Sequence, residues 1–273
     1  MIARALRTAP PTARFGLAVV ALYLATALFA PVLAPYGETQ IVGQPFALWD
    51  AKHPLGTDNL GRDMATRMIW GARNTVGIAV VTTIIAFLLG GATGLIAGTL
   101  GGWTDQVLGR IVDVLMAIPS LILSLLLLAI FGTSIASLIA IIAVIEATRV
   151  FRLARALALG ISVRDFVDAA RLRGEGLGWI VAREILPNAT APLIAEAGLR
   201  FCFVFLFISA LSFLGLGVQP PTADWGSMVR DNAALISYGD VTPLLPAGAI
   251  ALLTVAVNFI VDWLLHRSSG LKD

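Results

Sequence analysis

Few residues in this 273-residue chain are equipped for chemistry. His53 and His266 are the only histidines, and Cys202 is the only cysteine. A zinc site needs three or four converging His, Cys or carboxylate ligands, which this inventory does not supply, so no metal site is expected. One cysteine excludes an internal disulfide, and its expected role is a small apolar filler in a helix. Nucleotide binding by a Walker loop needs Gly-Lys before Ser or Thr, and neither Lys52 nor Lys272 follows a Gly. No Gly-x-Ser-x-Gly nucleophile elbow occurs. Three groups of charges remain. Glu146 is followed three residues on by Arg149, and Arg152 and Arg155 follow it. Glu196 and Arg200 stand four apart, the spacing and order of a helical ion pair. Residues 160–188 form a charge-dense stretch in an otherwise apolar chain.

The elements that hold these groups are membrane helices. Hydrophobic residues make up 58% of the chain, charged residues only 13%, and the mean hydropathy is +0.88. A soluble domain carries about 25% charged residues. A net charge of +2 offers no basic field, so no nucleic-acid partner is expected. Uncharged runs over 15–33, 75–100 and 241–261 are long enough to span, given the roughly 20 apolar residues a bilayer requires. Residues 114–145 are too long for one span. Phe131-Gly132-Thr133-Ser134 divides them into a span over 114–130, kinked at Pro119, and a fourth that extends to about 157 and carries Glu146 into the membrane. A fifth span has its core over 201–218 and begins near 193. The N-terminal run is read as a retained span and not as a cleaved signal.

Six spans put both termini on one side. An N-terminus inside leaves Arg4, Arg7, Arg14, Arg110, Arg164, Arg171, Arg173, Arg183, Arg267 and Lys272 inside, with Arg149, Arg152 and Arg155 lining the inner end of span four. The outside then holds only Lys52, Arg62, Arg67, Arg73 and Arg230, which satisfies the positive-inside rule. The expected organisation is a cytoplasmic segment 1–14, a first span 15–34 and an external loop 35–74. A five-helix core 75–266 follows, with a cytoplasmic loop 160–188 and an external loop 218–240, and then a cytoplasmic tail 267–273. His53 and His266 then face opposite sides, which excludes a shared site. Glu146 within a span is a candidate pathway charge; pairing with Arg149 or with a neighbouring helix is its structural alternative. Arg149, Arg152 and Arg155 are expected to snorkel to the headgroups. Gly90, Gly94, Gly98 and Gly102 form a ladder at four-residue spacing, a face another helix can approach closely.

In the loop 160–188, Val163, Phe166, Val167 and Ala170 fall at i, i+3, i+4 and i+7, an amphipathic stripe that needs a cover. Ser162 is the expected N-cap with Asp165 in a capping-box-like position, and Gly174 is expected to end the helix and turn the chain. A second short helix over about 178–186 is expected to stop at Pro187.

The segment Asp168-Ala169-Ala170, Gly174, Leu186-Pro187 resembles the EAA loop of ABC importer permeases: Glu-Ala-Ala, three residues, Gly, nine residues, Ile, one residue, Leu-Pro. Asp168 stands where Glu is usual and Glu184 where Ile is usual. The segment from His53-Pro54-Leu55-Gly56-Thr57-Asp58 to Gly61-Arg62-Asp63 resembles the HPxGTDxxGRD segment of the dipeptide, oligopeptide and nickel permeases. The segment from Ser212-Phe213-Leu214-Gly215-Leu216-Gly217 through Pro220-Pro221 to Trp225-Gly226 resembles that group's SFLGLGxxPPxxxWG. The resemblance is to the second of the two permeases in such systems, the type with one long outer loop after span one.

The resemblance implies an all-α membrane protein of six transmembrane helices with the type I ABC importer permease architecture. A cytoplasmic coupling helix would lie between spans four and five, with Asp168, Ala169, Ala170, Gly174, Leu186 and Pro187 engaging an ATPase. It also implies a heterodimer with a related permease, two cytoplasmic ATPase subunits and an external solute-binding protein in a bacterial inner membrane. ATP and magnesium would sit on the ATPases and no cofactor in this chain. Short peptides are the expected cargo, with nickel, opines, glutathione or short sugars as alternatives. A secondary transporter would have no need of the EAA-like loop, and no internal repeat of that class is present.

Overall fold

Apolar runs of this length can satisfy their backbone groups in a bilayer only as helices. The computed structural model describes residues 9–268, and among these there is no strand, only the isolated bridges Ile41–Arg62 and Thr57–Asp63. The expectations that rest on Arg4, Arg7 and Lys272 lie outside the described residues. The helices are α1 (Pro11–Leu33), α2 (Met64–Leu100, with a π-turn at Ala72–Val76), α3 (Gly102–Ala117), α4 (Ser120–Phe131) and α5 (Ile135–Ser162). They continue as α6 (Asp165–Leu172), α7 (Leu177–Phe213, with a π-turn at Val181–Ile185), α8 (Trp225–Asn232, extended by the 3-10 turn Ala233–Tyr238) and α9 (Leu244–Ser268).

Four helices, α1, α2, α7 and α9, are long and apolar enough to cross a membrane. The pair α3 and α4 qualifies only as one broken span, bent by 89°. The sequence predicts a kink at Pro119; the structure has a right-angle break, with Ile118 and Pro119 both outside helical geometry. Proline cannot donate to the ladder and biases the residue before it toward extended backbone, so the helix stops at Ala117 and restarts at Ser120. Helix α5 has 28 residues, about 42 Å at 1.5 Å per residue, but carries Glu146, Arg149, Arg152 and Arg155.

Three further boundaries differ from expectation. Helix α2 begins at Met64, within the segment 35–74 read as loop, because Asp63 caps the helix by accepting from Thr66 N–H at 2.7 Å. Pro187 does not stop a helix: α7 runs through it from Leu177 to Phe213. The preceding π-turn explains this, since Leu186 N–H bonds back five residues to Val181 and the widened turn accommodates a residue without a donor. Ser162 is not an N-cap. It is the last residue of α5, its hydroxyl donates to the Leu159 carbonyl, and Arg164 precedes α6 without a side-chain cap.

The most extensive helix pair is α2 against α5. The glycine ladder makes it: a Cβ at Gly90, Gly94 or Gly98 would press on the carbonyl oxygens of Ala147, Phe151 and Arg155, one turn apart on α5. Gly102 takes no part, since it begins α3 at φ +57° in open space. Helix α1 lies along α9, with Tyr23 donating to the Ala249 carbonyl at 3.0 Å. Leu138, Ile142, Phe205, Ile208, Leu211 and Leu253 are fully buried in the main core. Gly94→Ala, whose Cβ would lie 2.5 Å from the Phe151 oxygen, is expected to cost about 1–3 kcal/mol through forced separation of the helices. Gly91→Ala, with nothing within 4 Å, is expected to be neutral or slightly stabilising. Thermal unfolding of the two purified variants checks this, and equal midpoints would contradict close packing as the reason for the ladder.

Candidate functional site

The loop between α5 and α7 builds a rigid helix with a defined exit. Asp165 and Asp168 occupy the first turn of α6 and Arg171 the last, all favourable to the helix dipole. After Arg173, Gly174 adopts φ +82°. Its N–H bonds to the Arg171 carbonyl at 2.9 Å, and Glu175 N–H bonds to Ala170 at 3.2 Å, the two bonds of a Schellman closure. The amphipathic stripe divides in two. Val167 and Ala170 are fully buried against Ile180, Ile185 and Ala189, so they fasten α6 to the base of α7. Val163 and Phe166 are exposed, as are Leu172 and Trp179, and together they leave an apolar surface beside Arg164 and Arg171. Asp168 is exposed and pairs with Arg171 at 3.1 Å. Ala169, Leu186 and Pro187 are also exposed. Glu184 reaches Arg173 at 3.8 Å, and Arg173 lies 5.6 Å over the Trp179 ring, so this carboxylate finds a cation where an apolar residue is usual.

The buried charges are arranged differently from the expected Glu146–Arg149 pair. Glu146 accepts from Arg200 on α7 at 2.8 Å, and Arg200 also holds Glu196 at 2.5 Å. The Glu196–Arg200 pair thus forms as its spacing predicts, but Arg200 is buried inside the bundle and not at its boundary. Its guanidinium lies 5.1 Å over the Phe203 ring. Helix geometry turns Glu146 toward α7, whereas Arg149 is exposed. Arg152 reaches the Met116 sulfur at 3.9 Å, and Arg155 clamps Asp105 of α3 through two hydrogen bonds.

At the opposite end, the two sequence segments 53–63 and 212–226 close on each other over the start of α2. Asp58 accepts from Arg62 at 2.7 Å and lies 3.2 Å from Arg67, while His53 contacts Asp63 at 3.1 Å. Arg67 also donates to the Pro221 carbonyl, and the Glu38 carboxylate accepts from both Asn74 and the Ala223 N–H. Asp224 caps α8 through Ser227 N–H and accepts from Thr75 at 2.9 Å. Burial pushes the Asp224 carboxyl above its ordinary range, against the Ser227 and Thr75 hydrogen bonds that lower it. Trp225 wedges between Tyr23 and Phe205 and donates to the Met68 carbonyl.

A family model described as "Binding-protein-dependent transport system inner membrane component" matches residues 90–269. The chain belongs to this family. Its relatives include the dipeptide transport system permease protein of Alkalihalophilus pseudofirmus, 36% identical over 260 residues, covering 94% of this chain and 83% of that protein. The di/tripeptide transport system permease protein of Pseudomonas aeruginosa is 36% identical over 265 residues, covering 94% of this chain and 85% of the relative. The glutathione transport system permease protein of Pectobacterium atrosepticum is 30% identical over 261 residues, covering 93% and 83%.

In this permease the family match covers α6, the loop around it and the buried charges, and begins after the 53–63 segment. Sequence reasoning names Asp168, Ala169, Ala170, Gly174, Leu186 and Pro187, and the fold gathers them at one end of the bundle, around α6 and the base of α7. It misses Glu38, Thr75 and Asp224 as partners, because they meet across separations of 149 and 185 residues that leave no local signal.

Proposed function

We propose that this chain is one of two permease subunits in an ATP-driven importer and forms half of a translocation pathway for short peptides. An external binding protein delivers the peptide. A homologous second permease completes the membrane dimer, and two cytoplasmic ATPase subunits bind ATP and magnesium; this chain holds neither and catalyses nothing. The observation that carries the proposal is the short helix α6, closed by Gly174, with Val163 and Phe166 left exposed beside it. An apolar face held rigidly outside the bundle fits a groove on a partner that moves. The names of the dipeptide and di/tripeptide relatives support the cargo class. Closure of the ATPases would displace α6, and because α7 continues unbroken from the loop to Phe213, that displacement would reach the far side of the membrane.

In this reading α5 and the broken pair α3–α4 are the two spans that complete six. The protein lies in a bacterial inner membrane with both termini and α6 inside and the 53–63 segment outside. Cysteine labelling in a Cys202→Ser background is expected to modify Asp58→Cys only after external access is opened by local unfolding, since Asp58 is 1% exposed, and to modify the 50%-exposed Leu60→Cys directly from outside. Labelling of Leu60→Cys from the cytoplasmic side only would overturn the six-span topology. The function is tested by expressing the chain with its neighbouring permease, ATPase and binding-protein genes. Mass spectrometry of what co-purifies with the binding protein, together with ATP-dependent uptake of that compound, identifies the cargo. A non-peptide ligand would retain the importer and reject the cargo.

A further inference from the structure

Among the charges of α5, Arg149 differs in kind. Glu146 is sealed against Arg200, Arg155 is clamped by Asp105 and Arg152 reaches Met116, whereas Arg149 has no ion pair, side-chain hydrogen bond or ring contact among the described residues. It is exposed on the surface of the bundle, about 21 Å along α5 from Ile135. A guanidinium at that depth, inside a hydrocarbon layer about 30 Å thick, is costly against lipid and is found facing water or a partner charge.

A second feature lies close to Arg149. The α3–α4 break leaves the last carbonyls of α3 and the first N–H groups of α4 without helical partners, and unpaired backbone at membrane depth is tolerated only against protein or a water-filled path. The Arg152–Met116 contact places this break beside α5 one turn from Arg149. An open, mainly apolar hollow of about 360 Å³ lies between α4 and α5, lined by Leu123, Leu127, Val144 and Ile145, with Leu115 of α3 on its wall. Ile145 is four residues before Arg149 and therefore on the same helix face.

We infer that Arg149 holds the free carboxylate of the transported compound within the pathway, while the hollow between α4 and α5 receives its apolar side chain. The inference rests on the peptide-permease reading and deepens it: a cation one helical turn along α5 from the lining residue Ile145 of an apolar hollow selects small solutes that carry a carboxylate next to a side chain. The Glu146–Arg200–Glu196 cluster is excluded from this role because its guanidinium is already shared by two carboxylates inside the bundle.

The test uses the assembled importer with its binding protein, with dialanine as the probe. Arg149→Gln is expected to assemble in full yet take up dialanine about tenfold more slowly or worse, the loss of one charge-assisted contact, and Arg149→Lys is expected to recover part of the rate. Arg149→Cys in the Cys202→Ser background is expected to react with a water-soluble, membrane-impermeant thiol reagent, and millimolar dialanine is expected to slow that reaction. Wild-type uptake by Arg149→Gln, no labelling of Arg149→Cys, or failure of Arg149→Gln to assemble would each overturn the inference and leave the peptide reading standing. Absence of dialanine uptake by the wild-type importer would defeat the peptide reading, and the inference with it.

Discussion

Arg200→Met is expected to destabilise the permease by about 3–5 kcal/mol, the largest loss expected from any single side chain in the bundle. The side chain is 8% exposed and satisfies Glu146, itself 5% exposed, on another helix. Removing it leaves a carboxylate buried without a counter-charge, and desolvation then dominates whatever is recovered by apolar packing. Glu196, at 18% exposure, can turn to water and loses less. The double variant Glu146→Leu/Arg200→Met is therefore expected to recover much of the stability, because neither remaining group is a buried unpaired charge. Glu146→Gln keeps a hydrogen-bond acceptor for Arg200, so it is expected to lower stability modestly and leave cargo preference unchanged. Thermal unfolding of the purified complex in detergent reads all four proteins. An Arg200→Met protein as stable as wild type would show that the cluster does not hold α5 to α7, and a changed cargo preference in Glu146→Gln would return Glu146 to the pathway.

Gly174→Val is expected to abolish ATP-driven uptake while leaving the bundle inserted and paired. Gly174 sits at φ +82°, a conformation that β-branched residues adopt only at a cost of about 1–3 kcal/mol. Nothing lies within 4 Å of the added Cβ, so the cost is conformational and confined to the turn. Relief of that strain unwinds the Schellman closure, and α6 loses its fixed angle against α7 even though Val167 and Ala170 remain apolar. Asp168→Lys attacks the same element by charge. The pair it breaks with Arg171 is exposed and worth at most about 1 kcal/mol, so folding is expected to be nearly unaffected. The reversed charge in the first helical turn instead opposes the helix dipole and any cation on the ATPase. Asp168→Glu is expected to be nearly silent. Co-purification of the ATPase subunits and cargo uptake in the same strain are the two readouts. Full ATPase binding and full uptake in both Gly174→Val and Asp168→Lys would remove α6 from the coupling role and take the proposed function with it.

What the amino-acid order determined by itself is everything that rests on local spacing. Long uncharged runs place the chain in a bilayer, because hydrocarbon length and backbone hydrogen bonding leave no other solution. The four-residue glycine ladder marks a close helix contact. The glycine at 174 marks the end of α6, since a positive-φ closure needs that residue at that place. Glu196 and Arg200 pair because helix geometry alone brings them together.

Only the tertiary structure decided the partners across helices. Glu146 has Arg149 one turn away, yet it binds Arg200, 54 residues on, because α7 packs against that face of α5 and Arg149 points elsewhere. Pro187 reads as a stop signal in one dimension, but a π-turn carries α7 through it. Pro119 reads as a kink, but Ile118 and Pro119 both leave helical geometry and the helix breaks at 89°, with both halves packed on α5. The interlock of Glu38 with Ala223 and of Thr75 with Asp224 is likewise invisible in sequence. Hydrogen bonds between segments 149 or more residues apart are made by whichever faces the helices bury together, and no local periodicity records that choice.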